Sequence, residues 1–136
     1  MSARSKARKR ALDLIFAAEA QGQVPTDLLN QQVAAGEVPS NEYTVVLVKG
    51  ATEHADRLDA LITQYSRDWT LDRMPAVDRN VLRLAIFEVL YVDDVPDAVA
   101  ISEALHLVRE LSTDESPSFV NGILGQIARD KDRLTA

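Results

Sequence analysis

An all-α protein is what this sequence predicts, and two features carry that expectation. Apolar residues recur at helical spacing through almost the whole chain, and no segment alternates apolar and polar with period two. Helix start and stop signals, among them Gly22, Gly36, Pro75, Pro96 and Pro117, punctuate the periodic stretches. About seven helices and no sheet are expected. They would form one domain over residues 1–136, with helical halves of about 1–68 and 69–136.

The first helix carries Leu12, Ile15, Phe16 and Ala20 as one stripe and ends near Gly22. A short second helix starts near Thr26, with Thr26 or Asp27 as N-cap and Gly36 as terminator. Ser40 and Asn41 cap a third segment; Gly50 marks a kink or break in it, after which Leu58, Leu61, Ile62 and Tyr65 continue the stripe. "RDWTLDRMP" reads as a linker closed by Pro75, with Trp69 more a core plug for it than a stacking platform. The following "VDRNVLRLAIFEVLYV" is apolar nearly all round, which makes it the central helix. Within it Arg83 and Glu88 are expected as a partly buried polar pair. A helix from Pro96 carries Ile101, Leu105, Val108 and Leu111 inward, with His106 on a polar flank. The last helix opens with Ser116 as N-cap and Pro117 at its first position, and buries Val120, Ile123, Leu124 and Ile127. Gly122 and Gly125 in that stripe are ascribed to close helix packing.

A chain of 136 residues suits one domain that buries roughly two thirds of its unfolded surface. The absence of cysteine removes disulfides, thiolate nucleophiles and Cys-type zinc sites together. No apolar run reaches the ~18 residues of a bilayer span, and Asp13 and Glu19 interrupt what would otherwise be a secretory apolar region. A cytoplasmic protein without a membrane partner is expected. His54 and His106 stand far apart with no metal-ligand spacing, and no glycine-rich phosphate loop or nucleophile elbow occurs. The acids in "DDVPD" and "STDES" lack the alternation of a calcium loop. No enzyme activity, metal or cofactor is expected.

Charge is distributed unevenly. Five of the 15 Lys and Arg (Arg4, Lys6, Arg8, Lys9 and Arg10) lie in the first ten residues, which hold no acid; the other ten face all 21 acids, so residues 11–136 carry −11. Cations in the first turns of a helix oppose its dipole, by roughly 0.3–1 kcal/mol each. An external anion, nucleic acid foremost, accounts for that arrangement better than a frayed tail does, and the acidic remainder confines the footprint. Single-stranded RNA is held by cations on phosphates and aromatic faces under bases. Among the seven aromatics, Phe119 sits in the first turn of the last helix, where free N–H groups favour phosphate; its position fits core packing and a rim equally well. Phe16 follows the basic stretch, although its spacing alone favours core packing.

Four segments together carry a family resemblance. "SPSFVNGIL" resembles the S-x-x-FVNG-[VI]-L signature of the bacterial antitermination factor NusB family, and "DVPDAVAISEALHLVRELS" its VP-x-x-VAINEA segment. "WTLDRMPAVDRNVLRLAIFEVL" is similar to its W-x-L-x-R…VDR-x-[VI]-LR stretch, and "ARSKARKRALDLIFAAE" to its basic first helix. The resemblance is strong over residues 69–127 and weak over 22–45. It implies an all-helical fold of two three-helix bundles without enzymatic activity. It further implies binding of single-stranded boxA RNA from ribosomal RNA leaders, together with the small-subunit ribosomal protein NusE, in an antitermination complex on RNA polymerase. By motif position, Arg4, Lys6 and Arg8 would meet RNA phosphate, with Lys9 and Arg10 as further charge. Phe119 would stack on a base, Phe16 would lie near the same surface, and Glu115 would border it. Ser118 stands where the family often has a basic residue, and Phe16 where Tyr is common. Asp78, with Arg79 beside it, falls where the family contacts NusE. Two alternatives stand beside this: a stand-alone relative of the NusB-like module of ribosomal RNA methyltransferases, and a protein-only adaptor or homodimer with the basic helix buried against its partner.

Overall fold

The computed structural model describes every residue except Met1, Ser40 and Asp68. The described residues form eight helices and no strand. They are α1 (Ala3–Ala20), α2 (Pro25–Ala34), α3 (Glu42–Glu53), α4 (Ala55–Tyr65), α5 (Ala76–Tyr91), α6 (Asp97–Leu111), α7 (Ser116–Arg129) and α8 (Lys131–Leu134). The all-helical expectation holds, and the count rises by the four-residue α8.

The chain divides into two compact units, Met1–His54 and Ala55–Ala136, so the division falls earlier than the expected boundary near residue 68. The reason is that α4 packs on α5 and α7. Arg83 of α5 grips Asp59 of α4 with two parallel bonds, Nε to Oδ1 at 2.7 Å and Nη2 to Oδ2 at 3.0 Å. A planar guanidinium fork on a carboxylate is the strongest common side-chain pair. Arg83 was expected to pair with Glu88; its fork is engaged by Asp59, and Glu88 is shut in the core.

In the first unit α1, α2 and α3 pack on one another. Ser2 caps α1, its Oγ accepting from the Ser5 N–H at 3.0 Å, which partly offsets the missing acid in the first turn. The buried face of α1 runs Ala7, Ala11, Leu14 and Ala18, with Arg8, Leu12 and Ile15 on its flank. Phe16 and Ala20, expected on that stripe, lie beyond its edge and face solvent. Gly22 and Gly36 take φ of +67° and +87°, the left-handed turn that ends α1 and α2. The second helix starts at Pro25 and is not capped by Thr26 or Asp27, because Pro25 already supplies a preset first turn. Asn41 caps α3 as expected, its Oδ1 accepting from the Tyr43 N–H at 2.8 Å; the companion cap Ser40 lies outside the described residues. α3 continues through Gly50, and the break comes at His54.

In the second unit α5 is buried along most of its length, as a helix apolar nearly all round should be. The inward face of α6 is Ala100, Ala104, Leu107 and Val108; Leu111, expected inside, is exposed. The buried stripe thus includes two alanines one turn apart in place of Leu111. α7 buries Val120, Ile123, Leu124 and Ile127 as expected. Ser116 is its first residue and not its N-cap, because its hydroxyl serves Asp78 instead.

Candidate nucleic-acid interface

The five N-terminal cations fall into different settings. Arg8 is only 4% exposed, with its guanidinium 5.7 Å from the centroid of the Tyr43 ring. Arg4 stacks more closely on the same ring, at 4.2 Å, a cation–π contact that anchors the start of α1 on α3. Lys9 forms an exposed ion pair with Asp13 one turn on, at 2.8 Å. Lys6 and Arg10 are exposed and line a cleft of about 220 Å³ with Asn41 and Thr44. Two bonds hold that cleft's walls together: Asn41 Nδ2 donates to the Ala3 carbonyl at 3.2 Å, and Thr44 Oγ1 to that of Ala7 at 3.3 Å. Phe16 is 44% exposed, which corrects the core packing its spacing suggested. The basic stretch therefore splits into an inward pair, Arg4 and Arg8, that secures the helix, and an outward set led by Lys6 and Arg10.

The second unit holds a groove of about 430 Å³ beside the start of α7, with Tyr65, Arg67, Trp69, Glu115, Ser118 and Phe119 in its walls. Phe119 is half-buried, and the Trp69 ring stands against it with centroids 5.0 Å apart and planes at 51°. Trp69 is thus a groove wall and not only a plug for the linker. Gly122 also lines the groove, and a Cβ built there would meet nothing within 4 Å, so the close-packing explanation fails for it. At Gly125 the same Cβ would make only an ordinary contact with Arg129.

Below the groove, Tyr65 Oη donates to Asp130 Oδ2 at 2.5 Å. That hydrogen bond, helped by burial and by the carboxylate's charge, raises the Tyr65 phenol above its ordinary value. The same bond draws the Asp130 carboxyl below the usual carboxylate range.

Asp78 and Arg79, expected to face a protein partner, are occupied within the unit. Asp78 is 0% exposed, accepting from Ser112 Oγ at 2.6 Å and from Ser116 Oγ at 2.8 Å. Arg79 Nη1 donates to the carbonyls of Leu71 at 3.0 Å and Met74 at 3.4 Å, and burial lowers its pKa. Asp78 thereby ties α5 to α7, and Arg79 latches the loop that carries Trp69. A carboxylate with no exposed surface offers nothing for a partner to touch, so the implied contact does not fit it.

Sequence reasoning missed Trp69, Gly122, Tyr65 and Arg67 as groove residues. No local signal joins Trp69 to Phe119 across 50 residues of sequence. Among the described residues no group of three or more His, Cys, Asp or Glu could hold a metal ion. No helix among them is long and apolar enough to cross a membrane.

Fold and site together define a class: a small, wholly helical protein with cations on its first helix and a two-ring aromatic groove in its second unit. The NusB family model matches residues 5–129. The chain belongs to the NusB family. A transcription antitermination protein NusB from Nocardioides sp. is 62% identical over 98% of this chain and 99% of its own length. The corresponding protein of Kineococcus radiotolerans is 52% identical over the full length of both. Among solved structures, NusB from T. maritima superposes with a TM-score of 0.84 at 30% identity, covering 99% of each chain. A crystal structure of the antitermination factors NusB and NusE in complex with double-stranded RNA contains a chain with a TM-score of 0.78 at 26% identity, covering 93% of this chain and 96% of that one.

Proposed function

We propose that this protein is a transcription antitermination factor that binds single-stranded boxA RNA of ribosomal RNA leaders together with NusE. It acts by binding and not by catalysis, in the cytoplasm, as part of an antitermination complex on RNA polymerase. The observation that carries this role is the groove at the start of α7, where the FVNG motif presents a half-buried Phe119 beside Ser118 and Glu115. Exposed aromatic faces stack unpaired bases whatever their identity. The outward cations of α1, Lys6 and Arg10 with Lys9, supply phosphate contacts. Arg4 and Arg8 contribute by holding that helix on Tyr43. A curated relative at 62% identity is a transcription antitermination protein, and a solved relative at 26% identity belongs to a complex of NusB and NusE with double-stranded RNA.

A mobility-shift assay with boxA RNA, run with and without NusE over a salt series, tests the role. Three or four phosphate contacts on a single strand predict a log–log slope of about −2 to −3. Tighter binding of boxA than of scrambled RNA, strengthened by NusE, is expected. A flat salt response, or equal affinity for the scrambled strand, would sink it.

A further inference from the structure

We propose that Trp69 is itself a base-contacting residue: with Phe119 it forms a two-ring platform for one unpaired nucleobase of single-stranded RNA. The assignment deepens the RNA-binding role proposed above and rests on it. The two rings touch at 5.0 Å between centroids with planes tilted by 51°, so no base fits between them. A base must lie on the open face of one ring with its edge against the other, the pair of geometries aromatic rings prefer. The main chain at Trp69 is already fixed, and the Phe119 ring packs against the indole. The Trp69 backbone N–H donates to the Ser66 carbonyl at 3.0 Å, and the Ser66 hydroxyl donates to the Trp69 backbone carbonyl at 2.8 Å. A platform set before the ligand arrives loses little side-chain freedom on binding.

Room and charge select the occupant. Gly122, one turn along α7 from Ser118 and Phe119, leaves the groove open where any other residue would place a side chain. Arg67 and Glu115, both exposed, stand in the same walls with opposite charge, so these two cancel. With these side-chain charges the groove has no net pull on phosphate. It suits a neutral planar ring whose edge offers both donors and acceptors.

Trp69 is the sole tryptophan of the chain, so its emission reads the groove without a label. The full chain is titrated with a short boxA-type single-stranded RNA and, in parallel, with inorganic polyphosphate of matched charge. RNA should quench the emission saturably, with the midpoint seen in the shift assay, and polyphosphate should not. Trp69→Leu should weaken RNA binding about tenfold with an unchanged melting midpoint, while Trp69→Phe retains most of the affinity. If Trp69→Leu unfolds the chain, the quench and Trp69→Phe decide. An RNA that shifts the protein without altering the emission, and binds Trp69→Leu equally well, overturns the platform and leaves the RNA-binding role standing. Equal quenching by polyphosphate overturns it in favour of an anion site, and quenching by an apolar peptide but not by RNA assigns the groove to a protein. Absence of any RNA shift overturns both proposals.

Discussion

Ser116 donates its hydroxyl to Oδ2 of Asp78 at 2.8 Å, with both side chains shut away from solvent, and this bond ties the first turn of α7 to the first turn of α5. Ser112 holds the other carboxylate oxygen at 2.6 Å. Asp78→Ala removes the acceptor that both hydroxyls share, leaving them only each other and Thr113, and should destabilise the protein by roughly 1–3 kcal/mol, measured by urea unfolding. An unchanged unfolding midpoint would show that Asp78 braces nothing.

Phe119 is half-buried, so its ring serves the groove more than the core. Phe119→Ala should weaken RNA binding by roughly 1–3 kcal/mol while the helical circular dichroism and melting midpoint stay close to wild type. Collapse of the fold would instead identify Phe119 as a packing residue.

Lys6 and Arg10 are the cations of α1 that line an open cleft. Each phosphate contact removed from a single strand should flatten the salt slope by about 0.7. The double variant Lys6→Ala, Arg10→Ala is therefore expected to lose about 1.4 in slope across the salt series, with base preference unchanged. Arg8→Ala should behave differently, lowering stability first because it empties a buried position over Tyr43.

The Tyr65–Asp130 bond should leave a signature in pH. Asp130 is depressed in the folded state, so its stabilisation is fully present above its ordinary value of 3.8 and is lost as pH falls through the lower folded value. Tyr65 is raised, so its share is present below 10.0 and is lost as pH rises through the higher folded value. The stability gap between wild type and Tyr65→Phe should be level between those limits and close at both ends. A gap independent of pH across calorimetric scans would contradict the assignment.

Arg79 clamps the loop carbonyls of Leu71 and Met74, close behind Trp69. Arg79→Ala should loosen that loop, seen as faster amide exchange over residues 69–74, with α5 itself protected as before.

Much of this was legible in the sequence, and the misses have a common cause. The periodic apolar pattern located α1 to α7, and α5 declared its burial by being apolar all round. Arg8 and Asp78 are the exceptions: the basic stretch places Arg8, and the family resemblance Asp78, at a surface open to a partner. Yet Arg8 falls three, four and seven residues before Ala11, Leu12 and Ile15, and Asp78 falls likewise before Val81, Leu82 and Ala85, all of them buried. Position on the helical face outweighed polarity, because Tyr43 and the two serines supplied partners. The groove was half legible: the FVNG motif marked Phe119, but Trp69 meets it only through tertiary structure.

Gly122 sits exposed in the interior of α7 with open space where its Cβ would be. Exchanging such a glycine for alanine commonly adds up to about 1 kcal/mol of stability. A screen for heat resistance would therefore select Gly122→Ala early, while the added methyl narrows the mouth of the aromatic groove. Endurance and ligand capture would then pull in opposite directions at this one position, so engineering of the protein must score the two separately.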